Sequence, residues 1–416
     1  MHPQKLLICI TLPLFMHASF SAELTGFGTE TKAGSGGEII RVTTLNSFGS
    51  GSLREALLTS GPRIIVFEVG GVIDLEKTDL KIREPFVTIA GQTAPSPGIT
   101  LIRGGMDIGT HDVLMQHIRF RIGDAGMAKK SGFERDVSIT GPRARNVVVD
   151  HCSFAWGTDE NLSVSGERYY GPQGTAGRVT LSNNIIAEGL LDATHEKGKH
   201  SMGSLIHDNV QEVAIIGNLY AHNRDRNPWY KTNATGVVVN NLIYNPGDYA
   251  VRGGGVPSEW TGRTMPANTQ MAVVGNVLRH GPNTRKDLAL LRVGTNDAGA
   301  DAWLNDNLAF DRKGEPMPMT LGKVTLLDKA PLWPTGLVAR PAADTEAAVL
   351  RSAGARPKDR DAVDTRIVAE VQSGGGRIID SQEEVGGYPR PEPTRRKLDV
   401  PKDVDAWLKK LAAELE

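Results

Sequence analysis

The sequence predicts an all-β fold: a single-stranded right-handed parallel β-helix with short capping helices and a C-terminal helical tail. Three observations predict it. From about residue 87 to residue 310 one short unit recurs: three or four aliphatic or β-branched residues, a small or polar residue, an asparagine or its neighbour, then more aliphatics. Examples are Val147-Val148-Val149-Asp150-His151-Cys152, Val179-Thr180-Leu181-Ser182-Asn183-Asn184-Ile185-Ile186, Ala214-Ile215-Ile216-Gly217-Asn218-Leu219, Val237-Val238-Val239-Asn240-Asn241-Leu242-Ile243 and Val273-Val274-Gly275-Asn276-Val277-Leu278. Repeats on the order of 20 to 35 residues, each a brief strand unable to bury its own apolar face, mark stacked solenoids. The strands are rich in valine and isoleucine, too short for helices and separated by Gly, Asn, Asp and Pro, which selects the β form. The turn asparagines supply the third observation, because Asn tolerates left-handed backbone and its amide can bond to the equivalent residue one coil away. A β-sandwich would need hairpin turns and alternating polarity, and these strands are too evenly apolar for that.

Taken in order, residues 1–21 read as a secretory signal, with Lys5 as the charged start, an apolar stretch from Leu6, and Ser19-Phe20-Ser21 as a small-x-small cleavage site. The apolar stretch is too short for a membrane anchor, which needs roughly 20 apolar residues. Residues 22–335 are expected to form the β-helix with its N-terminal cap, where Ser52-Leu53-Arg54-Glu55 is a capping box leading into Ala56-Leu57-Leu58. Residues 336–416 are expected to be a tail whose helices pack on the solenoid. Val363, Ile367, Val368 and Val371 have helical spacing stopped by Gly374-Gly375-Gly376, and Val404, Trp407, Leu408, Leu411 and Leu415 line one face of a last helix.

Lys and Arg number 47 against 48 acidic residues, so the chain lacks the strongly basic balance of a nucleic-acid binder. No membrane partner is expected, and the chain is read as a monomer. Of the two cysteines, Cys9 lies in the signal, leaving Cys152 without an internal disulfide partner. Secretion or a periplasmic location is the expected destination.

Against this neutral background, Asn223-Arg224-Asp225-Arg226-Asn227-Pro228-Trp229-Tyr230-Lys231 is a knot of cations behind a valine-rich strand, and it suits an anion. Arg252, before three glycines, is a candidate extension. Upstream, Thr194-His195-Glu196-Lys197-Gly198-Lys199-His200 offers a zinc reading. Its spacing does not match the helical His-Glu-x-x-His pattern, and Gly198 opposes a helix, so zinc is disfavoured. Trp156 and Trp229 are open between stacking on sugar faces and packing in the core.

Several segments together resemble the pectate lyase superfamily, specifically the polysaccharide lyase family of the best-known bacterial and plant pectate lyases. They are Gly51-Ser52-Leu53-Arg54-Glu55-Ala56, Ile64-Ile65-Val66-Phe67-Glu68-Val69-Gly70-Gly71, Thr88-Ile89-Ala90-Gly91-Gln92-Thr93, Val149-Asp150-His151-Cys152-Ser153-Phe154, and Arg226-Asn227-Pro228-Trp229-Tyr230-Lys231 in place of the family's Arg-x-Pro-x-x-Arg. The resemblance covers most of the chain after the signal. It implies a three-sheet parallel β-helix with a cleft on one sheet's outer face. It also implies β-elimination on an acidic polysaccharide, α-1,4-linked polygalacturonate, in which a base takes the C5 proton and the C4 oxygen leaves.

By motif position the resemblance makes Arg226 the base and puts Lys231 where a second arginine binds substrate carboxylate. Lysine keeps that charge but loses the planar two-pronged grip. It places a substrate-binding lysine near Lys197, with Lys199 next, and Ca²⁺ carboxylates at Asp136 and Asp159; Ser163 stands where the family has an aspartate, so either Glu160 supplies the missing charge or the ion arrives mainly with substrate, and Arg224 joins Lys231 as a substrate-binding cation. Ca²⁺ would tame the charge of the uronate, and Arg224 and Lys231, together with the ion, would disfavour the protonated form of Arg226. Ser163 keeps a calcium-independent pectin lyase in view, and a non-catalytic polyuronate-binding β-helix is the alternative from another class. A glycoside hydrolase is disfavoured because Asp159 and Glu160 are adjacent, and along a strand they would face opposite ways.

Overall fold

The computed structural model describes residues 24–416, so the signal-like residues 1–21 lie outside the described part. Short strands wind into three sheets of eleven, nine and ten strands, in which each strand pairs with its equivalents one coil before and after. All pairings are parallel except the last, where Thr394–Arg395 joins antiparallel to Val69–Asp74 at the edge of the third sheet. This is the expected parallel β-helix, and its interior is a continuous column of aliphatic residues running from Val42 to Ala309.

The turn asparagines do what their chemistry suggests. Asn184, Asn218, Asn241, Asn276 and Asn307 stack one per coil, each amide donating to the next residue's Oδ1 at 2.9, 3.0, 2.9 and 3.0 Å. The same Oδ1 atoms accept the backbone N–H of the asparagine one coil earlier, so every buried polar group of the turn is satisfied internally. The left-handed backbone belongs to the residue just before each rung, at Asn183, Gly217, Asn240, Gly275 and Asp306. Asn, Asp and Gly are the residues that tolerate it.

Helix α1 (Leu53–Leu58) covers the first coils, with Ser52 Oγ accepting from the Glu55 N–H. The tail then runs back along the solenoid. Helix α2 (Ala342–Ser352) has no counterpart in the sequence expectation, because no side chain caps it and Ala353, not glycine, ends it. Helix α3 (Ala362–Ser373) has the expected bounds, capped by Asp361 and stopped by left-handed Gly374. Together α2 and α3 bury the outer face of the third sheet: Val349, Val363, Ile367 and Val371 pack on Ile185, Leu219, Leu242 and Val277. Helix α4 (Val404–Leu415) brings Leu408 onto Ile64, Val66 and Ala90 of the first sheet.

Phe27 and Leu337 cover further apolar residues on the outside of the first sheet. The second sheet differs. Its outward row, read in register from coil to coil, is Lys81, Asp107, Ser138, Ser163, Leu205, Trp229, Arg252 and Arg292, flanked by core residues on either side. Among the described residues, no helix of the tail packs over this mainly polar row, which leaves it as a face for solutes.

Candidate active site

The site lies where loops enter the second sheet. Glu160, Met202 and Asp225 form isolated parallel bridges that extend the sheet past its regular strands. Asp136 precedes the strand Val137–Thr140, Asp159 and Glu160 precede Leu162–Ser165, and Arg226 precedes Trp229–Tyr230. Coil stacking therefore gathers residues far apart in sequence.

A second, shorter asparagine ladder fixes these entry loops against one another. Asn161 donates to Asn223 Oδ1 and Asn223 to Asn227 Oδ1, both at 3.1 Å. Asn161 Oδ1 accepts from Gly157 N and Asn223 Oδ1 from Gly189 N, each at 2.9 Å. Between the last two rungs Arg226 sits at φ 62°. For a non-glycine residue that conformation costs about 1–3 kcal/mol and persists only where the surroundings over-determine it. The two flanking asparagines supply that determination.

Asp136, Asp159 and Glu160 each offer a carboxylate oxygen, and these lie within 4.8 Å of one another. The expectation that Asp159 and Glu160 face opposite ways is corrected here. Residues 157–160 are not a regular strand but a bend ending in a bridge, so strict alternation does not apply. The Arg226 guanidinium contacts Glu160 directly and lies 5.3 Å from the Trp229 ring centre.

Burial first, then the charges of Asp159, Asp79 and Asp107, push the Asp136 carboxyl well above the usual range, with Arg135 opposing. Burial also pushes Asp159 up, but a hydrogen bond from His200 and the charges of His200 and Arg226 bring it below its ordinary value. The Arg226 guanidinium falls to about 10, chiefly through burial; Asp159 opposes the fall and the cation of Arg252 adds to it.

Arg252 is thus the cation that acts on Arg226, in place of the expected Arg224 and Lys231. It stacks 3.6 Å over Trp229 and reaches Asp225 and Asp297 at 2.7 Å each. Arg224 turns toward Asp248, with 3.6 Å between Nε and the carboxylate. Lys231 is only 3% exposed, held between Asp208 at 3.2 Å and Glu259, which also bind Arg168. A buried lysine in a carboxylate net is a structural cation and is not presented to a solute. Lys197 and Lys199 are exposed on the turn above the cluster.

Ser163 shares the outward row, and its Oγ accepts from Leu205 N at 3.2 Å. Trp156 is fully buried, donating to Glu188 and packing edge-on to Tyr388, and Trp229 is 5% exposed. Packing wins at both tryptophans. His195 and His200, dismissed on spacing, stack with centroids 3.7 Å apart and present their Nε2 atoms to Asp159 Oδ1 at 3.4 and 2.9 Å. No helix forms there, as expected; a turn brings the two rings together instead. Asp225 and Asp297 were missed, although the pairing of Asp225 with Arg252, one coil later, is what a solenoid period allows.

Three stacked parallel sheets with a polar outer face define the parallel β-helix class. Solved structures agree on that fold: jun a 1, the major allergen from cedar pollen, has a TM-score of 0.57 at 16% identity over 80% of this chain and 92% of its own. A pectate lyase bound to a hexasaccharide has a TM-score of 0.53 at 14% identity over 80% and 98%. In sequence, the chain is 32% identical over 397 residues to "Probable pectate lyase C" of Aspergillus flavus, covering 92% of this chain and 85% of the relative. It is 34% identical over 376 residues to the protein of the same name in Aspergillus terreus, covering 87% and 80%. No family model matches the chain. With relatives at this identity over most of both sequences, the chain belongs to the pectate lyase family and is a polysaccharide lyase.

Proposed function

We propose that this protein is an exported, monomeric lyase that cleaves α-1,4-linked polygalacturonate by β-elimination, with Arg226 as the base and Ca²⁺ held by Asp136, Asp159 and Glu160. The observation that carries this reading is the juxtaposition of a buried guanidinium of lowered proton affinity with a three-carboxylate cluster at the end of the second sheet. The donor set fits the ion: Ca²⁺ takes six to eight oxygens, and three carboxylates supply up to half a dozen, leaving room for the uronate's own. Crowded carboxylates, one of them pushed toward its neutral form, are stabilised by a divalent cation. When bound, Ca²⁺ supplies charge neutralisation at the substrate carboxylate, which makes the neighbouring C5–H more acidic.

The protein's own groups do the rest. Asn161, Asn223 and Asn227 hold the carboxylates and the guanidinium in fixed relation, so the base meets the proton without reorganisation. Arg226 accepts that proton in its neutral form, and Glu160 beside it stabilises the resulting guanidinium. Arg252, with two carboxylates of its own, keeps Trp229 and the floor of the site rigid. Lys197 and Lys199 are the cations left free to meet further uronate charges.

The test is direct. Purified protein is incubated with polygalacturonate plus Ca²⁺, or plus chelator, and absorbance of the unsaturated product is followed. Product with Ca²⁺ and none with chelator supports the proposal. Product from methyl-esterified polymer regardless of chelator selects the calcium-independent pectin lyase. Binding of polymer without any product selects the non-catalytic reading.

A further inference from the structure

We propose that Asp159, His195 and His200 form a binding site for a divalent first-row transition-metal ion of the zinc class, sharing Asp159 with the oxygen-rich cluster beside it. This goes beyond the lyase reading, because imidazole nitrogens do not suit Ca²⁺ but do suit zinc, nickel, cobalt and copper.

The side chains offer one ligand atom each within 4.8 Å of one another. Both imidazoles are buried, at 4% and 9% side-chain exposure, whereas Asp159 is 35% exposed. The pair is therefore fixed in the protein, and Asp159 is the member of the set that meets solvent. Two histidines and one carboxylate with an open position are a known donor set for such ions. His200 Nε2 lies 2.9 Å and His195 Nε2 3.4 Å from Asp159 Oδ1, so both imidazoles already turn the same edge toward the one carboxylate.

The surroundings are built to hold the pair. His195 Nδ1 accepts from Lys197 N–H at 3.1 Å, and Glu134, 3.2 Å from the same nitrogen, accepts from Glu196 N–H at 3.0 Å, so the backbone of the turn fixes the imidazole beside an acidic neighbour. The turn is pinned at both ends, with Gly132 N donating to Thr194 O and His200 N to Leu191 O, at 2.9 and 2.7 Å. Its reversal rests on Gly198 at φ 87°, which a side chain would strain. The rings stack within 14° of parallel, and the two imidazole nitrogens and the carboxylate oxygen already lie within 4.8 Å of one another.

The experiment titrates metal-stripped, full-length protein with Co²⁺ alone, reading visible absorption and calorimetric stoichiometry, followed by Zn²⁺ displacement. One Co²⁺ per chain is expected, displaced by Zn²⁺, with binding lost in His195→Gln and in His200→Gln. Glu134→Gln, outside the ligand set, removes a negative charge beside His195 and should weaken binding without abolishing it, and His111→Gln, a histidine elsewhere on the solenoid, should leave it unchanged. Asp136→Asn should keep Co²⁺ binding while impairing Ca²⁺ binding, so this proposal and the lyase reading fail separately. Absence of Co²⁺ binding in the wild-type protein, or binding at wild-type strength in either histidine variant, overturns it.

Discussion

The proton affinity of Arg226 makes the proposed mechanism quantitative. A guanidinium brought to about 10 is neutral in roughly 10⁻³ of molecules at pH 7 and roughly 10⁻¹ at pH 9, about 300-fold more than at its unperturbed value. The sign follows from the role: a base works only when deprotonated, so lowering the affinity of a cation for its proton raises the active fraction. The rate should climb tenfold per pH unit from neutrality and level off near pH 10. Arg226→Ala removes the base and should lower turnover by about 10²- to 10⁴-fold. The assay is initial rate of unsaturated-product absorbance at saturating polygalacturonate and Ca²⁺ between pH 6 and pH 11, approximate bounds chosen to bracket that transition. A rate that peaks in the acid range, or an Arg226→Ala variant that keeps its turnover, refutes the reasoning and would direct attention to the carboxylates as an acid–base pair.

Glu160→Gln and Asp136→Asn should each weaken Ca²⁺ binding in calorimetry by at least about tenfold, since each removes an anionic oxygen donor; unchanged affinity would remove that residue from the ion's shell. Asn223→Ala leaves Gly189 N–H and the Asn161 amide without their acceptor, a loss of about 2–6 kcal/mol at about 1–3 kcal/mol per orphaned group, measurable by urea unfolding; a loss below about 1 kcal/mol would show that the ladder does not anchor the site. His117 is buried and stacked on His151, and burial first, then His151, brings its imidazole down to about 3. Its folded value lies below its unfolded one, so its contribution is whole above about pH 6.5 and drains away as pH falls toward 3, up to about 5 kcal/mol; His117→Gln should flatten the fall in unfolding free energy across that window, and an unaltered slope would contradict the assignment.

The solenoid was legible because its determinants are local and repeated. Valine-rich strands, turn asparagines and the caps of α1 and α3 each declare themselves within a few residues. The carboxylate cluster and Arg226 were legible through the family resemblance, and the fold brings them to the same end of the second sheet, with the coil of Met202 between Glu160 and Arg226. What escaped depended on contacts between coils or on irregular backbone. Arg252 acts through a neighbour one coil away, Lys231 is neutralised by Glu259 from a distant loop, and His195 and His200 meet only because a turn folds them face to face. The orientation of Asp159 and Glu160 hinged on a bend that strand periodicity cannot represent. Helix α2 was invisible because its ends carry none of the usual punctuation.

A stack of coils, taken alone, could peel from either end one layer at a time, because each layer touches only its neighbours. Here the returning C-terminal segment changes that. Arg279 of a late coil bonds Glu346 in α2, Arg121 of an early one is clasped by Asp361 and Asp364 of α3, and α4 rests on the coils that begin the stack. The segment acts as a longitudinal splint: loosening the first layers means detaching a piece of chain that also grips the last. Melting should therefore be a single concerted event, and the groove that carries the chemistry borrows its rigidity from residues on the opposite side of the molecule.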